Sequence, residues 1–127
     1  MIKETDVSRI EYDKRGFMKI TLIDTGKIFD VDEAKKQIAV AHEISKGKPY
    51  IVLVDSTQST NTPTLEAKKL VAAVEQKIRE AIIIKSLGNR ILGNLYLQII
   101  NRRYPCKLFN DEASAVKWLL SEADNKS

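Results

Sequence analysis

Between Pro49 and Ser56 the chain reads Tyr50-Ile51-Val52-Leu53-Val54-Asp55, with four apolar residues in unbroken succession. A strand with one wet face alternates apolar and polar residues; a run without alternation predicts a strand covered on both faces, as in the interior of a parallel sheet. Parallel neighbours need crossovers, normally helices, so this one segment points to a layered α/β fold. The rest of the chain is read around it. A length of 127 residues is close to the commonest domain size and allows a real core. The expectation is therefore one domain over residues 1–127, with its core from about residue 8 to residue 122.

Upstream, Ser8 to Asp13 alternates, with Ile10 and Tyr12 on one side and Arg9 and Glu11 on the other. Asp13-Lys14-Arg15-Gly16 reads as a turn. Phe17 to Asp24 follows as a strand with Met18, Ile20 and Leu22 on one face. These two segments predict an antiparallel hairpin with one wet face. A helix is expected from Asp32 to Lys46, with Ala34, Ile38 and Ala41 inward, capped by Asp30 or Asp32 and ended by Gly47-Lys48-Pro49.

Downstream of the central strand, Ser56 to Thr62 is a polar loop. Pro63 suits the first position of a helix with Thr62 as its cap, running to Lys77 with Ala67, Leu70, Val71, Val74 and Ile78 inward. Ala81 to Ile84 predicts a second buried strand, Arg90 to Arg102 a third helix, Cys106 to Phe109 a last strand, and Asn110-Asp111-Glu112 the cap of a helix through Glu122. In that last helix Ala113, Val116, Leu119 and Leu120 face inward. The order β-β-α-β-α-β-α-β-α predicts a mixed, mostly parallel five-stranded sheet with an N-terminal β-hairpin and four helices.

Catalytic and metal chemistry find no constellation. His42 is the single histidine and Cys106 the single cysteine. One of each is a poor zinc set, and Cys106 after Pro105 reads as a small packed side chain. No nucleophile elbow occurs. Gly88 and Gly93 have phosphate-loop spacing but lack the Lys and Ser/Thr that should follow. The chain is thus expected to be non-enzymatic, with no catalytic residues, metal or cofactor. Its net charge is +4, and its one basic cluster, Arg102-Arg103 with Lys107, is too small for a nucleic-acid footprint. No run of about 18 apolar residues exists to span a membrane. Met1-Ile2-Lys3-Glu4-Thr5-Asp6 is not a signal peptide, and a lone cysteine fits a cytoplasmic protein.

Two features point beyond the core. The hydroxyl-rich loop that includes Ser59, Thr60, Asn61, Thr62 and Thr64 follows the carboxyl end of a buried strand and precedes a helix, where open α/β sheets bind ligands. It reads either as a phosphoacceptor or partner-binding loop, or as a set of turn and cap hydrogen bonds. The third helix has Leu92, Leu95, Tyr96 and Ile99 within an apolar arc wider than a one-sided core contact needs. That arc suits burial within the domain, a homodimer interface, a partner, or an apolar ligand.

The buried strand Ile51-Val52-Leu53-Val54, the hydroxyl loop and the next helix resemble the STAS fold, whose best-known members are bacterial anti-sigma factor antagonists of the SpoIIAA type. The stretches Asn89-Arg90-Ile91-Leu92-Gly93-Asn94-Leu95-Tyr96, Arg103 to Ala113 and Ala115-Val116-Lys117-Trp118-Leu119 are similar to uncharacterised STAS/SEC14-like relatives. The resemblance implies a regulatory module whose partner is a kinase or regulator. In the antagonists an Asp-Ser-Ser-Gly motif at this helix start is phosphorylated; here Thr62-Pro63-Thr64-Leu65 occupies it, with Thr64 at a hydroxyl-bearing position. The SEC14-like relatives imply instead a carrier of a small apolar ligand or lipid.

Overall fold

The computed structural model describes residues 2–60, 63–85 and 103–121. Its elements are β1 (Ile2–Glu4), β2 (Ser8–Asp13), β3 (Phe17–Leu22), α1 (Val31–Ser45), β4 (Tyr50–Asp55), α2 (Leu65–Ala72), β5 (Lys77–Ile83), β6 (Cys106–Phe109) and α3 (Glu112–Ser121). The strands form one sheet in the order β1-β2-β3-β4-β5-β6. β1, β2 and β3 pair antiparallel, while β3, β4, β5 and β6 run parallel. Ile10, Met18, Ile20, Leu22 and Val52 bury against Ala34, Ala41 and Ala67 of α1 and α2. Phe17, Leu53, Ala81 and Ile83 bury against Ala115, Val116 and Leu119 of α3 on the other side. The small alanines let the helix backbones approach the sheet closely.

The sheet has six strands rather than five. Residues 2–4 carry no alternating pattern, and they join the edge because the following segment is held elsewhere. The carboxylate of Glu33, buried in the first turn of α1, accepts hydrogen bonds from the Thr5 hydroxyl, the Asp6 N–H (3.1 Å), the Val7 N–H (3.2 Å) and the Gln37 amide (2.9 Å). Ser8 in turn hydrogen-bonds Thr5 at 2.5 Å. The first-turn position that could close a capping box on Asp30 is thus turned inward to fix the chain entering β2.

Three helices fall among the described residues rather than four; the expected helix over 90–102 lies outside them. The expected wet face of the hairpin is also corrected. β3 is an interior strand, and Phe17 and Thr21 are buried opposite Met18 and Ile20. Tyr12, expected inward, is 51% exposed. In α3, Ala113 and Leu120 are exposed, while Ala115 takes the inward place.

The largest difference lies after α2. The helix expected to reach Lys77 ends at Ala72, and Lys77 begins β5. A register shift against Tyr50 and Ile51 leaves Ile78 without a partner in the ladder and 48% exposed, not in the core. In a regular strand, residues three apart point to opposite faces; the bulge instead brings Lys77 and Glu80 together. Their side chains form a 3.7 Å ion pair at 4% and 5% exposure. The Tyr104 hydroxyl lies 2.9 Å from the same Glu80 oxygen. Burial, with the charge of Glu80 adding to it, pushes the Tyr50 phenol up to about 12. Arg79 points the other way, donating to the Leu119 carbonyl at 2.7 Å and lying over Trp118, so it closes the last turn of α3.

The hairpin turn is tied to α3 by charge. Gly16 takes a positive φ of 110°. The Arg15 guanidinium meets Asp13 at 2.9 and 3.0 Å and Glu112 at 2.9 Å. These hydrogen bonds hold the Asp13 carboxyl down at about 2. A carboxyl lowered on folding contributes stability that is present above its ordinary value of 3.8 and is lost as pH falls towards 2. Carbon-detected titration of Asp13 should therefore show a midpoint near 2, and Arg15→Ala should return it towards 3.8. Replacing Glu33 by Ala strands several buried donors at once and should cost about 3 kcal/mol in denaturant unfolding. The same variant should speed amide exchange in β1.

Candidate functional site

At the carboxyl end of the parallel strands, β4 exits into Ser56-Thr57-Gln58-Ser59-Thr60, and Pro63-Thr64 leads into α2. Each hydroxyl in the described part of this loop has a protein partner. Ser56 donates to the Ile83 carbonyl at 2.6 Å, which pins the loop to the end of β5. Asp55 accepts from the Thr57 N–H at 2.9 Å and its hydroxyl at 2.6 Å, a local turn of the kind Asp favours. Asp24, just past β3, accepts the Ser59 hydroxyl at 2.9 Å, the Thr60 hydroxyl at 3.1 Å and the Thr60 N–H at 3.1 Å. Two strand-end carboxylates therefore hold the loop.

Thr64, not Thr62, caps α2. Its φ of −64° and ψ of 160° are extended, and its Oγ1 accepts the Ala67 N–H at 3.2 Å. Pro63 consequently precedes the cap rather than opening the helix. The Thr64 N–H donates to the Phe29 carbonyl at 3.0 Å, joining the entry of α2 to that of α1. Thr64 is solvent-exposed. The structure thus brings Ser59 and Thr60 onto Asp24 and sets Thr64 at the start of α2. Asn61 and Thr62 lie outside the described residues, as do Leu92, Leu95, Tyr96 and Ile99.

Sequence reasoning missed Asp24 and the anchoring role of Asp55. The signal for Asp55 was available, since Asp-Ser-Thr at a strand end favours a side-chain-capped turn. Asp24 had none: it reaches residues 35 and 36 positions away.

Other candidate residues stand apart from the loop. His42 is exposed on α1. Cys106 is half-buried, with its thiol 3.9 Å from Glu80 Oε1. Of the basic cluster, Arg103 lies 3.9 Å from Glu75 and Lys107 lies over the Phe109 ring. Among the described residues, no three His, Cys, Asp or Glu side chains converge as a metal site would require, and no helix is long and apolar enough to cross a membrane.

A family model described as a domain of unknown function, DUF7793, matches residues 17–122. A crystal structure of an uncharacterised protein from the DUF3478 family with a SpoIIAA-like fold, from Shewanella loihica PV-4, is similar with a TM-score of 0.60. The two are 15% identical, over 94% of this chain and 98% of that one. At that identity the likeness establishes the SpoIIAA-like fold and not an activity. No curated protein sequence matches this chain.

Asp24→Ala should leave the Ser59 hydroxyl and the Thr60 N–H and hydroxyl without this acceptor. The expected result is a loss of about 1–2 kcal/mol and faster amide exchange at Thr60, with exchange in β3 and β4 much less affected.

Proposed function

The chain belongs to the DUF7793 family, and from that starting point we propose that it is a non-enzymatic regulatory module that acts by protein–protein contact through the 56–64 loop and α2. The observation that carries this reading is the setting of Thr64. Thr64 is exposed at the start of a helix, shortly after a segment that Asp24 and Asp55 hold at the carboxyl end of the sheet. Hydrogen bonds that hold residues 56–60 in place lower the ordering cost of binding there.

The switch is electrostatic. A phosphate on Thr64 adds nearly two negative charges beside the N–H groups that open α2. The helix end attracts the phosphate, while Glu66 in the same first turn repels it. The phosphate would compete for the Ala67 N–H now held by Thr64 Oγ1, reshape the loop and repel an acidic partner surface. The partner in this reading is a kinase or regulator in the cytoplasm.

Because Thr64 is also a cap, the test must separate charge from stability. Thr64→Ala should cost about 1 kcal/mol in thermal unfolding, whereas Thr64→Ser and Thr64→Asp can still cap and should stay close to wild type. In pull-downs from native lysate, a partner held by wild type and Thr64→Ser but released by Thr64→Asp supports the switch. Retention by all three forms, or by none, overturns it.

A further inference from the structure

At the end of the sheet opposite the hydroxyl loop, β2, the last turn of α1 and the turn into β4 border an open groove of about 240 Å³ lined by Tyr12, Ile44, Ser45, Lys48, Pro49 and Tyr50. The Tyr12 ring is half exposed there. α1 ends at Ser45, and none of the described elements covers the ring.

The polar groups around this groove define what it can hold. The N–H of Lys46 is bonded to Glu43, that of Gly47 to His42, that of Lys48 to Ser45 and that of Tyr50 to Gln76. Pro49 has no N–H. The Ser45 hydroxyl donates to the His42 carbonyl. The donors left are the Tyr12 and Tyr50 hydroxyls and the Lys48 ammonium, which is exposed and makes no ion pair among the described residues. Lys14 and Lys46, on the flanking turns, make none there either. Of the nearby carboxylates, Asp13 is paired with Arg15 and Glu43 with Lys3, and Glu11 follows the alternation of β2 to the face opposite Tyr12. The groove therefore offers apolar and aromatic walls with a single positive anchor.

We propose that this groove binds a small molecule made of one aromatic ring bearing a carboxylate. The carboxylate pairs with Lys48 through a charge-assisted hydrogen bond, and the ring packs on Tyr12, Ile44 and Pro49. The space seats one ring. A cavity of roughly 150 Å³ already takes benzene, while sites for drug-sized ligands begin at roughly 300 Å³. The site is remote from Thr64 and independent of the regulatory reading.

The test is amide NMR on the full chain titrated with phenylacetate, with acetate and benzyl alcohol as ring-less and charge-less controls. The expected result is saturable shifts at Tyr12, Ile44, Ser45, Lys48 and Tyr50, with either control weaker by about tenfold. Lys48→Met and Tyr12→Ala alter exposed side chains, so the remaining spectrum should be unchanged while phenylacetate affinity falls about tenfold in each. Absence of saturable shifts at these amides overturns the site, as does equal binding of benzyl alcohol or unchanged binding by Lys48→Met.

Discussion

Parallel pairing of β3, β4, β5 and β6 is the constraint on which the rest of the molecule depends. Each parallel join forbids a tight hairpin and forces the chain to cross a face of the sheet before returning. α1 and α2 are two such crossovers, and their alanine-rich inner faces are what a close approach to the sheet requires. With α3 on the opposite face, Phe17, Leu53, Ala81 and Ile83 are removed from water as well. The same geometry collects the β4–α2 loop and the exits of β3 and β5 at one end. That is why Asp24, Asp55 and the Ile83 carbonyl can all hold one short loop.

Buried polar groups supply the specificity that apolar packing lacks. Glu33 and the Lys77–Glu80 pair are each costly to desolvate and tolerable only when their partners are in place. Glu33 fixes the path into β2, and so determines that residues 2–4 reach the edge of the sheet. The Lys77–Glu80 pair depends on the bulge at Ile78, since without it the two side chains would point apart. In both places a polar contact decides register, which hydrophobic burial alone leaves loosely defined.

The two surfaces at opposite ends of the sheet differ in kind. The described part of the hydroxyl loop is rich in hydrogen bonds that are already made and is anchored by carboxylates. The groove at the end of α1 is concave, with its backbone donors committed and one cation exposed; its chemistry suits a small anionic ring. Both ends of the sheet are built from loops, whose composition can vary without disturbing the strands.

The apolar run over residues 51–54, the β2–β3 hairpin and the helix caps of α1 and α3 were legible in the sequence, because each is a local pattern along the chain. From those patterns alone came the α/β class, a mixed sheet that begins with an antiparallel hairpin, and the loop at the carboxyl end. What tertiary structure decided involves partners distant in sequence. Lys77-Ile78-Arg79-Glu80 reads as the charged end of a helix until Tyr104, Leu119 and Trp118 satisfy its charges in a strand. Residues 2–4 carry no strand signal until Glu33 fixes the segment after them, and Thr64 rather than Thr62 became the cap once Phe29 held its N–H. The anchoring role of Asp24 likewise has no local sign. Local periodicity records which face of an element is buried; it cannot record which distant donor or charge will meet a polar side chain, and those meetings shaped the site.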